Sequence, residues 1–197
     1  MMSQLTPSTF IFIFVRALTL SLLILCAPAY ASEPSGFKST LSPDKTYALI
    51  TTTLGNIELE LYAKRTPKTV ANFIQYARSG FYENTLFHRV IPNFMVQGGG
   101  FDTSFTKKAT RAPVRNEANP FIPNLRGTIA MARTNDPDSA SSQFFINVVD
   151  NASLNKTASN PGYAVFGKVI EGLSVADKIS RVQTKREGYM KDIPVDP

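Results

Sequence analysis

Between residues 47 and 169 the chain breaks into short runs of alternating apolar and polar residues, most of them bounded by glycine, proline, asparagine or aspartate. Only two stretches carry helical spacing. Period-two alternation sends successive side chains to opposite faces of a strand, so such a chain must build sheet and cover its apolar side. Ala48, Ile50 and Thr52 alternate, Gly55-Asn56 supplies a turn, and Ile57, Leu59 and Leu61 alternate with Glu58 and Glu60. This predicts an antiparallel hairpin with both glutamates turned to water. Further β-type runs are predicted at residues 85–91, 94–97, 128–131, 143–148 and 164–169.

The clearest helix begins at Thr66 as N-cap with Pro67 in the first helical position, and Gly80 stops it. Val70, Phe73, Ile74 and Ala77 fall on one stripe of that helix. A second, shorter helix is predicted at residues 174–181, offering Val175, Ile179 and Leu173 to a core. Many short strands with antiparallel turns and two amphipathic helices predict a mainly β fold, a closed or nearly closed barrel with the helices packed over its openings.

Residues 1–31 stand apart. They hold one charge, Arg16, then an apolar run ending at Cys26 and the small-residue pattern Ala29-Tyr30-Ala31. This reads as a secretory signal peptide cut before Ser32, and the interrupted apolar stretch falls short of the ~20 residues that span a bilayer. A retained membrane anchor is the competing reading. Residues 32–45 read as a flexible polar lead-in and residues 46–197 as one domain. The 166 residues after the cut carry a net charge of +5 and no cysteine, so the domain must be held by its apolar core without disulfides. Lysine and arginine are scattered rather than run together, which argues against a nucleic-acid partner.

The chemistry available is limited. With a single histidine, His88, and no cysteine after residue 31, neither a His- or Cys-based zinc site nor a cysteine nucleophile can be assembled. His88 lies between Phe87 and Val90 with no Gly-x-Ser-x-Gly turn in the chain, so it is expected to serve the core. Gly98-Gly99-Gly100 lacks the spacing of a phosphate loop and is expected to allow close backbone approach or a sharp turn. Arg89 shares a strand face with Phe87 and Ile91, so it either points to water or pairs with something above an apolar surface. Gln143 and Phe145 share one face of their run while Phe144 and Ile146 share the other. An amide beside an aromatic suits the wall of a peptide site better than a pure core face.

At these residues the sequence resembles the cyclophilin family. Phe87-His88-Arg89, Pro92, Phe94-Met95 and Gln97-Gly98-Gly99 match its hallmark segment, and residues 127–132, 142–146 and 165–169 extend the likeness in the family's order. The resemblance implies a closed eight-stranded antiparallel β-barrel capped by two α-helices, and a peptidyl-prolyl cis/trans isomerase that needs no cofactor or metal. It implies Arg89 as the catalytic group and Phe94, Met95, Phe145 and Leu154 as the proline pocket. Gln97 and Gln143 would orient Arg89 and the substrate, Ala132 and Arg133 would line the edge where peptide backbone lies, and Tyr163 stands at the rim where many relatives place histidine.

Tyr163 resembles the bacterial branch of the family. Ser153 departs from the tryptophan common before Leu154, which removes a large wall and an indole donor. That puts cyclosporin binding in doubt and leaves proline isomerisation in place. The expected partners are proline-containing segments of folding proteins, met by a monomer outside the inner membrane, in the periplasm of a Gram-negative source. Two rival readings use the same features: a proline-recognition or chaperone module whose isomerase activity is incidental, and a small-ligand carrier barrel.

Overall fold

The structure, a computed structural model, describes residues 12–16, 42, 44–188 and 190–195. In chain order its elements are β1 (Phe12–Arg16), β2 (Thr46–Thr52), β3 (Gly55–Leu61), α1 (Pro67–Arg78), β4 (Arg89–Ile91) and β5 (Met95–Gly98). They continue with β6 (Thr128–Met131), β7 (Phe144–Asn147), a 3-10 turn (Ala152–Leu154), β8 (Val165–Glu171), α2 (Leu173–Ser180), β9 (Thr184–Glu187) and β10 (Met190–Pro194). The seven strands β2-β3-β8-β6-β7-β5-β4, in that order, form one curled antiparallel sheet, and β1 pairs along β2 as an eighth strand.

The expected closed eight-stranded barrel is therefore corrected to a curled half-barrel. Among the described residues no ladder joins β4 to β1 or β2, and β10 pairs with β9 as a separate hairpin. That hairpin packs against β4 without extending the sheet. The predicted run at 85–91 likewise shortens: only Arg89–Ile91 is strand, and Thr85 makes an isolated bridge to Asp102. Apart from β1, the proposed leader lies outside the described residues. Of the lead-in, Ser42 is tied down through its amide N–H to the Tyr47 hydroxyl at 3.1 Å.

The first hairpin forms as the alternation predicts, with Thr46 opposite Leu61 and Thr52 opposite Gly55. Glu60 reaches Lys45 at 3.1 Å. Glu58, expected in water, is only 6% exposed. It sits on an interior strand, flanked across the two ladders by Leu49 and Glu171, so neighbours cover it on both sides.

Both helices bury their apolar stripes in one cluster. Val70, Phe73, Tyr76 and Ala77 come from α1, and Val175, Ala176 and Ile179 from α2. Thr66 occupies the N-cap of α1 but makes no side-chain capping bond. The Glu117 carboxylate, 48 residues away, accepts from the Thr69 amide at 2.7 Å and the Lys68 amide at 3.2 Å instead. A carboxylate there satisfies free N–H groups and complements the helix dipole. Phe73 lies at the centre of the cluster, with ring centroids 5.7 Å from Phe144, 5.1 Å from Phe166 and 5.4 Å from Tyr82.

Strand alternation divides the middle of the sheet between two apolar clusters. Val96, Ile129, Met131, Phe144 and Ile146 face the helices. Met95, Ala130, Phe145 and Val165 face the other way, joined by Ile122. Truncating Phe73 to alanine removes the ring that connects α1 to both sheet halves. The expected loss is ~3–5 kcal/mol of unfolding free energy, measured by urea denaturation.

Candidate active site

The second cluster does not close over itself. Above Met95 and Phe145 lies a cavity of about 130 Å³, walled by Phe94, Leu154 and Tyr163 on its apolar side and by Arg89, Gln97, Ala132 and Arg133 at its polar rim. At that volume it holds one small side chain rather than a drug-sized ligand, for which ~300 Å³ or more is usual. Nine of the ten residues expected at the site line this one cavity. The tenth, Gln143, adjoins it: the Gln97 side-chain amide donates to the Gln143 carbonyl oxygen at 2.8 Å.

Each wall is positioned by local chemistry. Arg89 and Gln97 are directly opposed across the β4–β5 ladder. The turn between those strands places Asn93 at φ 56°, a left-handed conformation that asparagine tolerates, and so brings Phe94 over the cavity. Gly99, at φ 78°, lets the chain leave β5 against the aromatic cluster, since a Cβ there would lie 2.8 Å from Tyr82 and 2.9 Å from Phe144. A Cβ on Gly100 would come within 2.5 Å of the Gln143 side chain, so its absence gives that amide its place. The glycine run thus has the close-approach role expected of it.

Tyr163 is fixed from two sides. Its amide N–H donates to the Leu154 carbonyl at 3.0 Å, and its ring meets Phe145 edge-on at a centroid distance of 5.7 Å. The Arg133 guanidinium lies 4.4 Å from the Tyr163 ring centroid, donates through Nε to the Gly162 carbonyl and through Nη1 to the Thr134 carbonyl. Its charge is therefore engaged in holding the rim. Arg89 is different. Its side chain is 42% exposed at the cavity edge, and among the described residues its one ion pair is to Asp192 at 3.7 Å.

Sequence patterns missed a buried layer of asparagines beneath these walls. Asn151 donates to the Phe94 carbonyl at 2.9 Å and to the Asn147 side-chain carbonyl at 2.7 Å. Asn147 in turn donates to the Thr128 hydroxyl at 2.9 Å and to the Asn124 side-chain carbonyl at 3.3 Å, and Asn124 reaches the Leu154 carbonyl at 3.1 Å. Buried amides that satisfy one another in this way fix loops that have no regular structure. One signal was available: Asn147 ends an otherwise apolar strand.

A model of the family described as "Cyclophilin type peptidyl-prolyl cis-trans isomerase/CLD" matches residues 47–196. The chain belongs to that family. It is 51% identical to peptidyl-prolyl cis-trans isomerase A of Dickeya dadantii, over 94% of this chain and 92% of that protein. It is 56% identical to a peptidyl-prolyl cis-trans isomerase of Acinetobacter baylyi, over 74% of this chain and 78% of that one. Among solved structures, a cyclophilin type isomerase of Cryptosporidium parvum superposes with a TM-score of 0.67 at 28% identity, covering 77% of this chain and 91% of that one. The same protein solved in the presence of the dipeptide Ala-Pro gives a TM-score of 0.65 at 29% identity, covering 75% and 90%. This cyclophilin is accordingly a peptidyl-prolyl cis-trans isomerase.

His88 sits behind the cyclophilin site, 4% exposed, with its ring 4.6 Å from that of Phe101. Its Nδ1 has no partner among the described residues. Burial lowers its pKa to about 4, against an opposing pull from the Leu86 backbone and the Gln143 side chain. The ring is therefore neutral in the folded protein at neutral pH, consistent with a core role. Unfolding restores an ordinary histidine near 6.5, so as pH falls through that value the unfolded state takes a proton that the folded state refuses. Stability is expected to drop by on the order of 3 kcal/mol between about pH 6.5 and about pH 4 from this group. His88→Gln should flatten that part of the stability profile, measured by urea denaturation across the range.

Proposed function

We propose that Arg89 is the catalytic group of this isomerase and that the cavity above Met95 and Phe145 holds the proline ring of the substrate. The observation that carries this reading is the exposed Arg89 guanidinium at the rim of a small apolar cavity that has no competing base, nucleophile or metal cluster among the described residues. The reaction needs none of those. Rotation about an X-Pro bond must break amide resonance, against a barrier of roughly 20 kcal/mol, while the cis and trans forms differ by only about 1 kcal/mol.

In the twisted state the prolyl nitrogen regains a lone pair and accepts a hydrogen bond that the planar amide cannot accept. A guanidinium aimed at that nitrogen binds the transition state in preference to the ground state. Arginine suits the role because it stays charged and carries its donors in a fixed planar fork. Phe94, Met95, Phe145, Leu154 and Tyr163 grip the ring and exclude water. Gln97 and Gln143, already hydrogen-bonded to each other, present amide groups to the peptide beside Ala132 and Arg133. The Ala-Pro dipeptide used with the Cryptosporidium relative is the chemistry this cavity would take.

The same reading extends to setting. The leader pattern in residues 1–31 supports export and cleavage before Ser32, a cut that removes β1 from the edge of the sheet, and the reading is of a monomer acting on proline-containing segments of folding proteins in the periplasm of a Gram-negative source. The chaperone reading shares this cavity, and Arg89 separates the two: assistance that needs the guanidinium is catalysis.

Arg89→Ala is expected to lower kcat/KM on a proline tetrapeptide by at least ~100-fold with the thermal midpoint unchanged, in a protease-coupled isomerisation assay. Near-normal turnover by that variant would sink the assignment. Ser153 is exposed beside Leu154, so restoring an indole there should add a wall without disturbing the core. Ser153→Trp is expected to strengthen cyclosporin inhibition by at least roughly tenfold over the wild type, read from the same assay.

A further inference from the structure

The C-terminal hairpin brings a carboxylate to Arg89 from the side away from the proline cavity. The pairing of β10 with β9 shifts register between Met190 and Ile193, and within that irregularity Asp192 takes φ 61°. Left-handed backbone is uncommon outside glycine, and an irregularity of this kind re-aims a side chain. Here the Asp192 carboxylate lies 3.7 Å from Arg89 Nε. The two residues share the wall of a second cavity, about 270 Å³, with His88, Met190 and Lys191. That distance is an ion pair rather than a hydrogen bond. Because it engages Nε, the two terminal nitrogens of the guanidinium have no partner among the described residues and can turn to the prolyl nitrogen.

From this geometry we infer that Asp192 is a positioning residue for Arg89, so the hairpin at residues 184–194 belongs to the isomerase site although it lies about a hundred residues away in sequence. The inference rests on the catalytic assignment of Arg89 made above. An arginine side chain has many rotamers and β4 is three residues long, so the strand alone does not fix the guanidinium. Gln97, the residue opposite Arg89, turns its side-chain NH2 to Gln143 and makes no hydrogen bond to Arg89 among the described residues. Asp192 supplies a restraint from the remaining side. It acts before the substrate arrives and touches no reacting atom, so its effect falls on kcat rather than on KM.

Asparagine keeps the shape of Asp192 and tolerates the left-handed backbone, so Asp192→Asn removes the charge alone. In the coupled assay its kcat is expected to fall roughly two- to five-fold, the size of coupling an exposed ion pair delivers, with KM unchanged. Added salt should narrow the gap between wild type and variant by screening the pair. In an Arg89→Ala background the same substitution should have no further effect. An unaltered or raised kcat, a gap that ignores salt, or a loss that persists without Arg89 overturns the inference. Normal turnover by Arg89→Ala alone overturns the catalytic assignment itself, a separate result.

Discussion

Phe144 and Phe145 are adjacent on β7 and serve two different clusters, one under the helices and one under the active-site cavity. This division by alternation governs the rest of the molecule. A strand with one dry face already resists slippage but tolerates polar exchange on its wet face, whereas all four residues of β6 and all four of β7 are buried. Register is thereby fixed from both sides, and with it the depth at which Met95, Ala130 and Phe145 form the cavity floor. The core under the helices and the floor of the cavity proposed to take proline are the two faces of the same four strands. A volume change on either face is felt on the other through a close-packed sheet.

Much of this was legible in the sequence because it depends on period and composition. The stripe of Val70, Phe73 and Ala77, the turn at Gly55-Asn56 and the separation of Phe145 from Phe144 and Ile146 onto opposite strand faces all follow from local spacing, and the structure repeats them. The grouping of distant segments around one cavity followed from the family resemblance rather than from spacing. Periodicity by itself gave Arg89 no partner and left it as readily in water as over an apolar surface.

What was not legible depends on partners far away in the chain. Glu58 reads as a solvent-facing strand residue, and only the presence of β2 and β8 on both sides of β3 explains its burial. Glu117 caps α1 from 48 residues away, in place of the Thr66 side chain that local rules suggest. The half-barrel has the same origin. Which strands meet is decided by contacts across the chain, and among the described residues β10 meets β9 and β4 is an edge backed by that hairpin. The asparagine layer escaped for a related reason: polar residues between strands look like solvent-facing loop, and only three-dimensional proximity turns them into a mutually satisfied network.

That network and the edge strand have opposite consequences for catalysis. Differential stabilisation of a twisted amide requires the ring to be held while the donor stays aligned, so pocket and arginine need comparable rigidity. The pocket has it, because Phe94 and Leu154 hang from buried asparagines and Tyr163 is clamped between Phe145 and Arg133. Arg89 sits on a three-residue strand that, among the described residues, has a ladder on one side only, to β5. The least constrained side chain of the site is thus Arg89, the one proposed to act on the amide, and under that proposal what packs behind β4 sets how often the guanidinium is in place. The β9–β10 hairpin is, by its position against β4, the element that can supply that constraint.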